Sequence, residues 1–497
     1  MLSFKTYTMA EAKCIQVRPT GWEGSQETDL FPLSDMDHTM PKIYVQIAEV
    51  FELKDESEAN KTTIVANLVK GLEFTLAQYP IMAGGLKMDP ETGRMWVAKK
   101  KESSVGLYVN VRRTPTYPEL NQKDFPAAML KGHEILPKSV TEKQLFSPLG
   151  DNADEDLSIS AFQVNFIPGG VILASAIHHN CSDGPGCDGF LTTWAENAAA
   201  ATKGEEFKPI DKAALDRSRL SAAQIPDHKR WQELNEKLSL EYPILKDAGG
   251  PPLAPPADFK MPELDIVMWH FAKSKVDQLK ATANQSVDGA EGSWVSTYDA
   301  IMASMWKAIT KAKIELLQPN PDQEVILAHA VNTRFKLDPP LPERFMGNAV
   351  ALPRTKPTKI SDLIAAPIPE VARRVRDSIN SITPQYVREL PEWIAGLKDK
   401  RWISINMNSF LGMDLAGTSW QAMQCYEKHD FGFGLTKAIR FPCPAFEGYC
   451  FIYPSRAEVK EDADDEGFEV CVCLEKGCQH RLMKDEELLA YAQPRGI

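Results

Sequence analysis

Titratable and nucleophilic side chains follow the apolar run VILASAI in the segment AIHHNCSDGPGCDGF, residues 176–190. Two histidines, two cysteines, a serine and two aspartates stand there among glycines. Three kinds of chemistry fit these residue types: a metal site, a nucleophile activated by a base, or a single histidine that acts as a general base. The alternative is a structural loop closed by an aspartate turn.

A metal site is the least favoured of the three. The segment 176–190 lacks the paired CxxC spacing of a closed zinc site. A second group of ligand types near the C-terminus begins as an alternating strand, in which the first two cysteines share one face as small apolar residues. This second group comprises Cys471, Cys473, Cys478 and His480. We therefore expect no metal at either place.

Nucleophilic catalysis is also not indicated. Cys181 and Ser182 are close to His179 in sequence, but the chain has no GxSxG, GxxxxGK[ST], complete GxGxxG or HExxH motif. The DFG within DFGFG, residues 430–434, lacks the accompanying kinase motifs. A histidine at a strand end, by contrast, projects beyond the sheet edge and can take a proton from a hydroxyl near neutral pH. Spacing alone leaves open whether His179 is such a base or a structural residue.

The elements that must position His179 alternate between helices and strands. Residues 62–79 and 296–317 place apolar side chains at helical spacing, and Ser296 with Asp299 predicts a capping box in the second segment. Strand-like runs include YVQIAEVF, SISAFQVNF, VILASAI, VILAHAV, GYCFIYP and GFEVCVCL. The sequence therefore predicts an α/β protein.

The length of 497 residues favours two domains of similar size. Residues 203–245 are polar and charged, and KDAGGPPLAPPADFKMPEL, 246–264, is rich in proline and glycine. Because such a composition buries little surface, it predicts a crossover linker over residues 216–262. The predicted domains are then residues 1–215 and 263–497.

Charge and composition restrict the partners. The formal net charge is −12, which disfavours nucleic acid or an anionic membrane as a partner. No apolar run approaches the ~20 residues of a spanning helix, and the N-terminus lacks the apolar core of a secretory signal. The nine cysteines are scattered, which is typical of reduced thiols. We expect a cytoplasmic protein that is a monomer.

Two motifs give the chain a resemblance to a known family. HHNCSDG, residues 178–184, resembles the HxxxD(G) motif of the BAHD acyltransferases, and DFGFG resembles their DFGWG motif with Phe433 in place of tryptophan. LSDMDHTMPKIYVQIAEVF, LAQYPIMAGGL, VSTYDAIMASMWKAITKA and VNTRFKLDPPLPERFMGNAV are similar to further blocks of the family. The resemblance covers almost the whole chain. Its long crossover and SPLGD segment are closer to fungal members, such as trichothecene 3-O-acetyltransferases, than to plant members.

The resemblance implies a fold and a reaction. The fold would be two chloramphenicol-acetyltransferase-like domains, with mixed sheets flanked by helices and an active-site channel at the domain interface. His179 would be the general base, and Asp183 would orient the loop through an arginine. Arg334 is the candidate arginine, which leaves open whether it pairs with Asp183 or with Asp430. Acyl-CoA, with acetyl-CoA as the expected donor, would enter from one face and the acceptor from the other.

Other positions of the family motifs imply further site residues. Gly184 completes the first motif, and DFGFG would form a structural loop of the second domain, away from the chemistry. The residues implied in that loop are Asp430, Gly432 and Gly434. The implied contacts with CoA or with the channel are Ser296, Thr297, Arg334 and Trp420.

The expected activity is direct acetyl transfer from CoA to a hydroxyl of a small secondary metabolite, without an acyl-enzyme, and transfer to an amine is the second choice. Two alternatives stay open. A peptide-synthetase condensation domain shares HHxxxDG but requires a carrier protein, for which we find no segment in the sequence. A binding protein with a retired acyltransferase fold would be expected to lose the motif histidine or glycine, and His179 and Gly184 are both present.

Overall fold

The computed structural model describes residues 13–141, 157–250, 260–285, 294–442 and 446–496. The SPLGD segment, 147–151, and the centre of the proline-rich stretch, 251–259, lie outside the described residues. Within the described ranges, no helix combines the length and the apolar character needed to cross a membrane.

The strands and helices alternate along the chain, as the sequence predicts. The strands are β1 Lys13–Val17, β2 Thr28–Pro32, β3 Tyr44–Glu52, β4 Gly85–Met88, β5 Met95–Lys100, β6 Val105–Val111, β7 Leu157–Ser158, β8 Ser160–Ile167, β9 Gly170–His178, β10 Leu245–Asp247, β11 Leu264–Phe271, β12 Glu324–Val325, β13 Leu327–His329, β14 Val331–Asn332, β15 Val350–Ala351, β16 Thr358–Lys359, β17 Ile403–Ile405, β18 Leu415–Ser419, β19 Ala438–Arg440, β20 Tyr449–Ile452, β21 Phe468–Glu475 and β22 Gln493–Arg495.

The helices are α1 Glu58–Gln78, α2 Tyr117–Gln122, α3 Gly132–Ile135, α4 Lys138–Thr141, α5 Gly184–Lys203, α6 His228–Glu241, α7 Lys273–Ala283, α8 Thr297–Leu317, α9 Ile360–Ala365, α10 Ile368–Asn380, α11 Pro384–Gly396, α12 Cys425–Lys428, α13 Lys476–Leu482 and α14 Glu486–Leu489. The predicted capping box at the start of α8 is present.

The first six-stranded sheet has the order β1-β6-β8-β9-β3-β19 and is mixed, because β6 and β8 are parallel while the other pairs are antiparallel. Strands β8 and β9 are buried along their whole length, which explains their continuous apolar runs. Helices α1 and α5 share its hydrophobic core. The two helices approach each other closely at Gly71 of α1. Any larger residue there would collide with α5, because its Cβ would lie 2.6 Å from the backbone nitrogen of Ala198.

The second six-stranded sheet has the order β13-β18-β20-β21-β11-β22 and is also mixed. Helix α8 shares a second hydrophobic core with β21 and β11 and with the helices α7 and α10. Each mixed sheet shares a hydrophobic core with long helices, and this arrangement confirms the predicted α/β class.

The C-terminal half of the chain returns to the first sheet through β19, which pairs antiparallel with β3. DFGFG precedes this strand, and the Phe431 ring lies edge-on to Phe51 of β3 and Trp194 of α5, with centroids 5.8 and 5.3 Å away. The aromatic side chains of DFGFG, which the sequence assigns to the second predicted domain, therefore pack with the core of the first sheet. A division of the chain by sequence position cannot show such a crossing.

The predicted crossover linker, 216–262, contains the folded helix α6. The side chain of Asp227 caps this helix by accepting a hydrogen bond from the backbone of Arg230 at 2.8 Å. Leu234 and Leu238 are buried in a third core that α6 shares with α11. The expectation that this segment buries little surface is therefore wrong for its described part. The partly buried Trp231 packs against the same core and donates to the carbonyl of Trp393 at 3.0 Å, so three side chains dock an otherwise polar helix.

Candidate active site

The two adjacent histidines at the end of β9 have different surroundings. His178, the last residue of the strand, is fully buried, and its ring lies edge-on to Tyr44 at 5.3 Å between centroids. Burial lowers the pKa of His178 to about 3, so its ring is neutral. Neither of its ring nitrogens has a hydrogen-bond partner within the part of the chain that the structure describes. His178 is therefore a core residue, consistent with the alternation of side chains along a strand.

His179 is only partly buried. Its backbone is fixed on both sides, because its N–H donates to the carbonyl of Ile43 at 2.7 Å and its carbonyl accepts from Ser182 at 3.2 Å. The Nδ1 atom of the ring lies 3.2 Å from Oδ1 of Asn348. Burial lowers the pKa of His179, and the nearby Asp183 carboxylate offsets only part of that effect. The ring is therefore neutral near physiological pH, as a general base must be.

Asp183 is the N-cap of α5 and is fully buried. Its carboxylate accepts two hydrogen bonds from Arg334, at 2.8 and 2.7 Å, and one each from the backbone of Gly186 and of Ala349, both at 3.0 Å. Because every one of these partners is a donor, the carboxylate holds the loop and the start of the helix together. The structure thus pairs Asp183 with Arg334. Asp183 acts on His179 by fixing the loop that both residues share.

Arg334 connects two loops. Besides Asp183, its guanidinium donates to the carbonyl of Phe345 at 3.1 Å and of Gly347 at 3.4 Å, and it lies 5.6 Å above the ring of Phe345. The side chain is only 2% exposed. Arg334 therefore supports the loop that leads to Asn348, and its contact with CoA or the channel stays a prediction.

Trp420 and Gly184 meet at the start of α5. A Cβ at Gly184 would lie 3.1 Å from Cε of Met423 and 3.4 Å from Nε1 of Trp420. The indole, 6% exposed, also packs edge-on against Phe451 and Tyr453. The predicted channel residue therefore lies beside the first motif, and the absent side chain of Gly184 makes room for it.

Ser296 and Thr297 are both half-buried at the start of α8. Ser296 is the N-cap, and its hydroxyl accepts from the backbone of Asp299 at 3.3 Å. Asp299 is buried and forms an ion pair with Arg376. These contacts stabilise the helix terminus and do not join it to the loop of His179. The role of Ser296 and Thr297 in binding CoA stays a prediction.

The DFGFG loop is held by hydrogen bonds between its own residues. Oδ1 of Asp430 accepts from the backbone of Gly432 at 2.8 Å and of Gly434 at 3.0 Å. Both glycines have positive φ, 93° and 112°, which explains the residue type. A Cβ at Gly432 would lie 2.3 Å from Oγ1 of Thr202, near the C-terminal end of α5. At ~1.5 Å per residue, that contact is roughly 27 Å along the helix from Gly184.

Sequence reasoning missed Asn348, which contacts His179 twice. In addition to the ring contact, its Nδ2 donates to the carbonyl of His179 at 2.8 Å. The only signal was the GN within VNTRFKLDPPLPERFMGNAV, and no spacing rule links an asparagine there to a histidine 169 residues earlier.

No group of histidine, cysteine, aspartate or glutamate side chains is arranged to hold a metal ion in the described ranges. Cys471 and Cys473 are buried in β21, and Cys478 is buried in α13.

Residues 21–489 match the model of the Transferase family. The chain is similar to acetyltransferase FGR3 of Gibberella zeae, at 28% identity over 98% of this chain and 95% of that protein. It is also similar to trichothecene 3-O-acetyltransferase TRI101 of Fusarium sporotrichioides, at 25% identity over 91% of this chain and 94% of that protein. Its fold is similar to that of F. graminearum TRI101 complexed with coenzyme A and T-2 mycotoxin, with a TM-score of 0.76, 20% identity and coverage of 94% and 99%. Since the family model spans most of the chain, this protein belongs to the Transferase family, the BAHD acyltransferases.

Proposed function

We propose that this protein transfers an acetyl group from acetyl-CoA to a hydroxyl of a small secondary metabolite, with His179 as the general base. The observation that carries the proposal is the neutral imidazole of the partly buried His179, at the end of β9 and held by Asn348. The donor is supported by the relatives named as acetyltransferases and by the similar fold of TRI101 complexed with coenzyme A.

The reaction needs one proton carrier. The imidazole takes the proton of the acceptor hydroxyl as the oxygen attacks the thioester carbonyl. Hydrogen-bond donors stabilise the tetrahedral oxyanion. The intermediate then breaks its carbon–sulfur bond, and the departing CoA thiolate receives the proton from the imidazolium. The ester and free CoA leave, and His179 is neutral again.

Direct transfer without an acyl-enzyme is supported by the state of the nearest nucleophiles. Burial raises the pKa of Cys181 to about 12, so it is a thiol at neutral pH. Ser182 is fully buried, and its hydroxyl donates to the carbonyl of Asp183 at 3.3 Å. Neither side chain is activated by a base.

An amine acceptor is the second candidate. The chain is also similar to putrescine hydroxycinnamoyltransferase 1 of Oryza sativa, at 27% identity over 78% of this chain and 80% of that protein. A neutral imidazole can remove the proton of an attacking amine as well as that of a hydroxyl.

The test is release of CoA thiol from acetyl-CoA in the presence of a panel of alcohols and amines, with the product identified by mass. We expect acceptor-dependent release that is lost in His179→Ala. Intact-protein mass after a rapid acid quench should show no added acetyl group. A stoichiometric acetyl-protein that forms before product would contradict direct transfer, and release with amines alone would select the second candidate.

A further inference from the structure

Asp37 is a fully buried carboxylate that the mechanism above does not use. It lies in the 3-10 helix Met36–Thr39, and five hydrogen-bond donors converge on it. Oδ2 accepts from the backbone N–H and the hydroxyl of Ser34, both at 2.7 Å, and from Arg217 at 2.8 Å. Oδ1 accepts from the backbone N–H and the side-chain amide of Asn348, at 2.9 and 2.8 Å. All its partners are donors, so an ionised carboxylate satisfies every one of them.

This arrangement fixes which way the amide of Asn348 faces. The atom of that amide next to Asp37 must be the nitrogen, because a carboxylate can only accept. The same nitrogen also donates to the carbonyl of His179 at 2.8 Å, and a carbonyl can only accept as well. The amide oxygen is therefore the atom that faces the ring of His179, at 3.2 Å from Nδ1.

The direction of the amide selects the tautomer of His179. An amide oxygen can only accept, so Nδ1 must carry the hydrogen. In a neutral imidazole the lone pair is then on Nε2. Nε2 is the nitrogen on the far side of the ring from Asn348, and it is the one left to accept a proton from a substrate.

Arg217 belongs to the predicted linker, residues 216–262, and it is hydrogen-bonded to this buried network. Its guanidinium donates to Asp37 at 2.8 Å and to the carbonyl of Cys181 at 2.6 Å, and the side chain is 8% exposed. One buried arginine thus contacts both the carboxylate that orients Asn348 and the loop that carries His179.

We propose that Asp37 is a positioning residue which, through Asn348, holds His179 in the tautomer with hydrogen on Nδ1 and so makes Nε2 the basic atom. Only the effect on turnover rests on the proposed acetyl transfer. The tautomer itself is a property of the folded protein and can be measured without a substrate.

The substitution Asp37→Asn breaks the arrangement with little change of shape. The new amide has one NH2 group, which cannot accept a hydrogen bond. That group must face donors on one side, either those of Ser34 and Arg217 or those of Asn348. Because the guanidinium is charged, the oxygen stays with Arg217 and the NH2 turns to Asn348. The carbonyl of His179 still accepts from Nδ2 of Asn348, but the new NH2 repels that nitrogen. The amide is then no longer held firmly in one orientation, and the preference of His179 for hydrogen on Nδ1 weakens.

The experiment is nitrogen-15 NMR of the full chain labelled at histidine, with His179 assigned by its absence in His179→Gln. We expect a protonated Nδ1 and a bare Nε2 in the wild type. In Asp37→Asn we expect loss of this preference, together with a fall in kcat of about 10–100-fold and little change in KM for acetyl-CoA, since the altered group acts on the base and not on the donor.

The matched control is Asp35→Asn. Asp35 is a buried carboxylate two residues away that accepts from the backbone of Ala222 at 2.9 Å and does not reach Asn348. It should keep both the tautomer and kcat. If Asp37→Asn does not fold, Asn348→Ala replaces it, since it removes the amide oxygen that faces Nδ1.

A bare Nδ1 in the wild type overturns the proposal, and so does a folded Asp37→Asn that keeps both the tautomer and kcat. Equal losses in the Asp35 and Asp37 variants would also overturn it, because the effect would then be general damage to the segment. A protonated Nδ1 in a protein that transfers no acetyl group would instead refute the proposed function and leave the tautomer assignment in place.

Discussion

Helix α5 carries the loop of His179 and Asp183 at its N-terminal end and the contact with DFGFG near its C-terminal end. At the first end, donors from distant segments converge on Asp183 and leave one imidazole partly exposed. At the second end, the side chain of Asp430 accepts from the backbone of glycines two and four residues ahead, and the phenylalanines pack into or against the core. Two motifs of similar length thus differ in the origin of their hydrogen bonds. Long-range partners hold the loop of His179, the proposed base, whereas local partners shape a loop for packing.

The largest effect should come from His179→Ala, which removes the base at the first end. We expect turnover to fall by about 10²–10⁴-fold, because nothing nearby replaces the imidazole. Thiol release from acetyl-CoA measures this, and thermal unfolding should be nearly unchanged. His178→Ala is the matched control: it should lower the unfolding temperature, because a buried ring is lost, and keep most of the turnover. An inactive His178→Ala beside an active His179→Ala would reverse our assignment of the two histidines.

Asp183→Asn should affect stability and activity together. It leaves Arg334 as a buried charge without its carboxylate, which costs about 3–5 kcal/mol in free energy of unfolding. Turnover should fall because the loop is no longer held, while the pH dependence of kcat should keep its histidine inflection. Denaturant unfolding and a pH–rate profile measure the two effects. A profile without that inflection would mean that Asp183 takes part in the proton transfer.

Gly432→Val tests the second end. The φ of 93° is unfavourable for a branched side chain, at about 1–3 kcal/mol, and the new Cβ would collide with Thr202. We expect a lower unfolding temperature, with turnover per folded molecule retained. Gly434→Ala is the control, since its φ of 112° is also strained but no described atom lies within 4 Å of the new Cβ. It should lose less stability, and an equal loss would mean that the contact with α5 contributes nothing.

The smallest effect is a difference in pH dependence between two histidines. Burial disfavours the charged form of His429, but Glu49, 2.6 Å away, and Asp188 outweigh it and raise its pKa above 6.5. A raised pKa in the folded state means that this stabilisation is complete below pH 6.5 and is lost as the pH rises through the raised value. His179 has a lowered pKa, so turnover should fall only when the pH drops below 6.5.

Unfolding temperatures and kcat, measured over the same pH series, separate these two trends. His429→Gln should flatten the loss of stability above pH 6.5 and leave the inflection of kcat in place. A shift of that inflection in His429→Gln would show that the two histidines are coupled, against the separation of the two ends of α5.

The sequence was informative where the determining contacts are local. Helical spacing and capping residues predict α1 and α8, and the first motif predicts His179 and Asp183 as site residues. The pairing of Asp183 with Arg334 came from the family blocks and not from spacing. Asn348 and Asp37 were out of reach, because their hydrogen bonds join residues 169 and 311 positions apart and polar residues carry no periodic pattern. The helix α6 was missed because most of its residues are polar and only Trp231, Leu234 and Leu238 of its described side chains pack against the third core.

The return of β19 to the first sheet has a consequence for synthesis on the ribosome. Strand β3 leaves the exit tunnel early, yet its outer neighbour follows about 390 residues later, which is roughly 20–80 s at ~5–20 residues per second. During that interval the nascent chain exposes an unpaired strand edge and the apolar surface that Phe431 later covers. The N-terminal half therefore lacks the outer strand of its sheet until nearly nine-tenths of the chain has been made. Genes cut at the crossover segment should yield an insoluble N-terminal product.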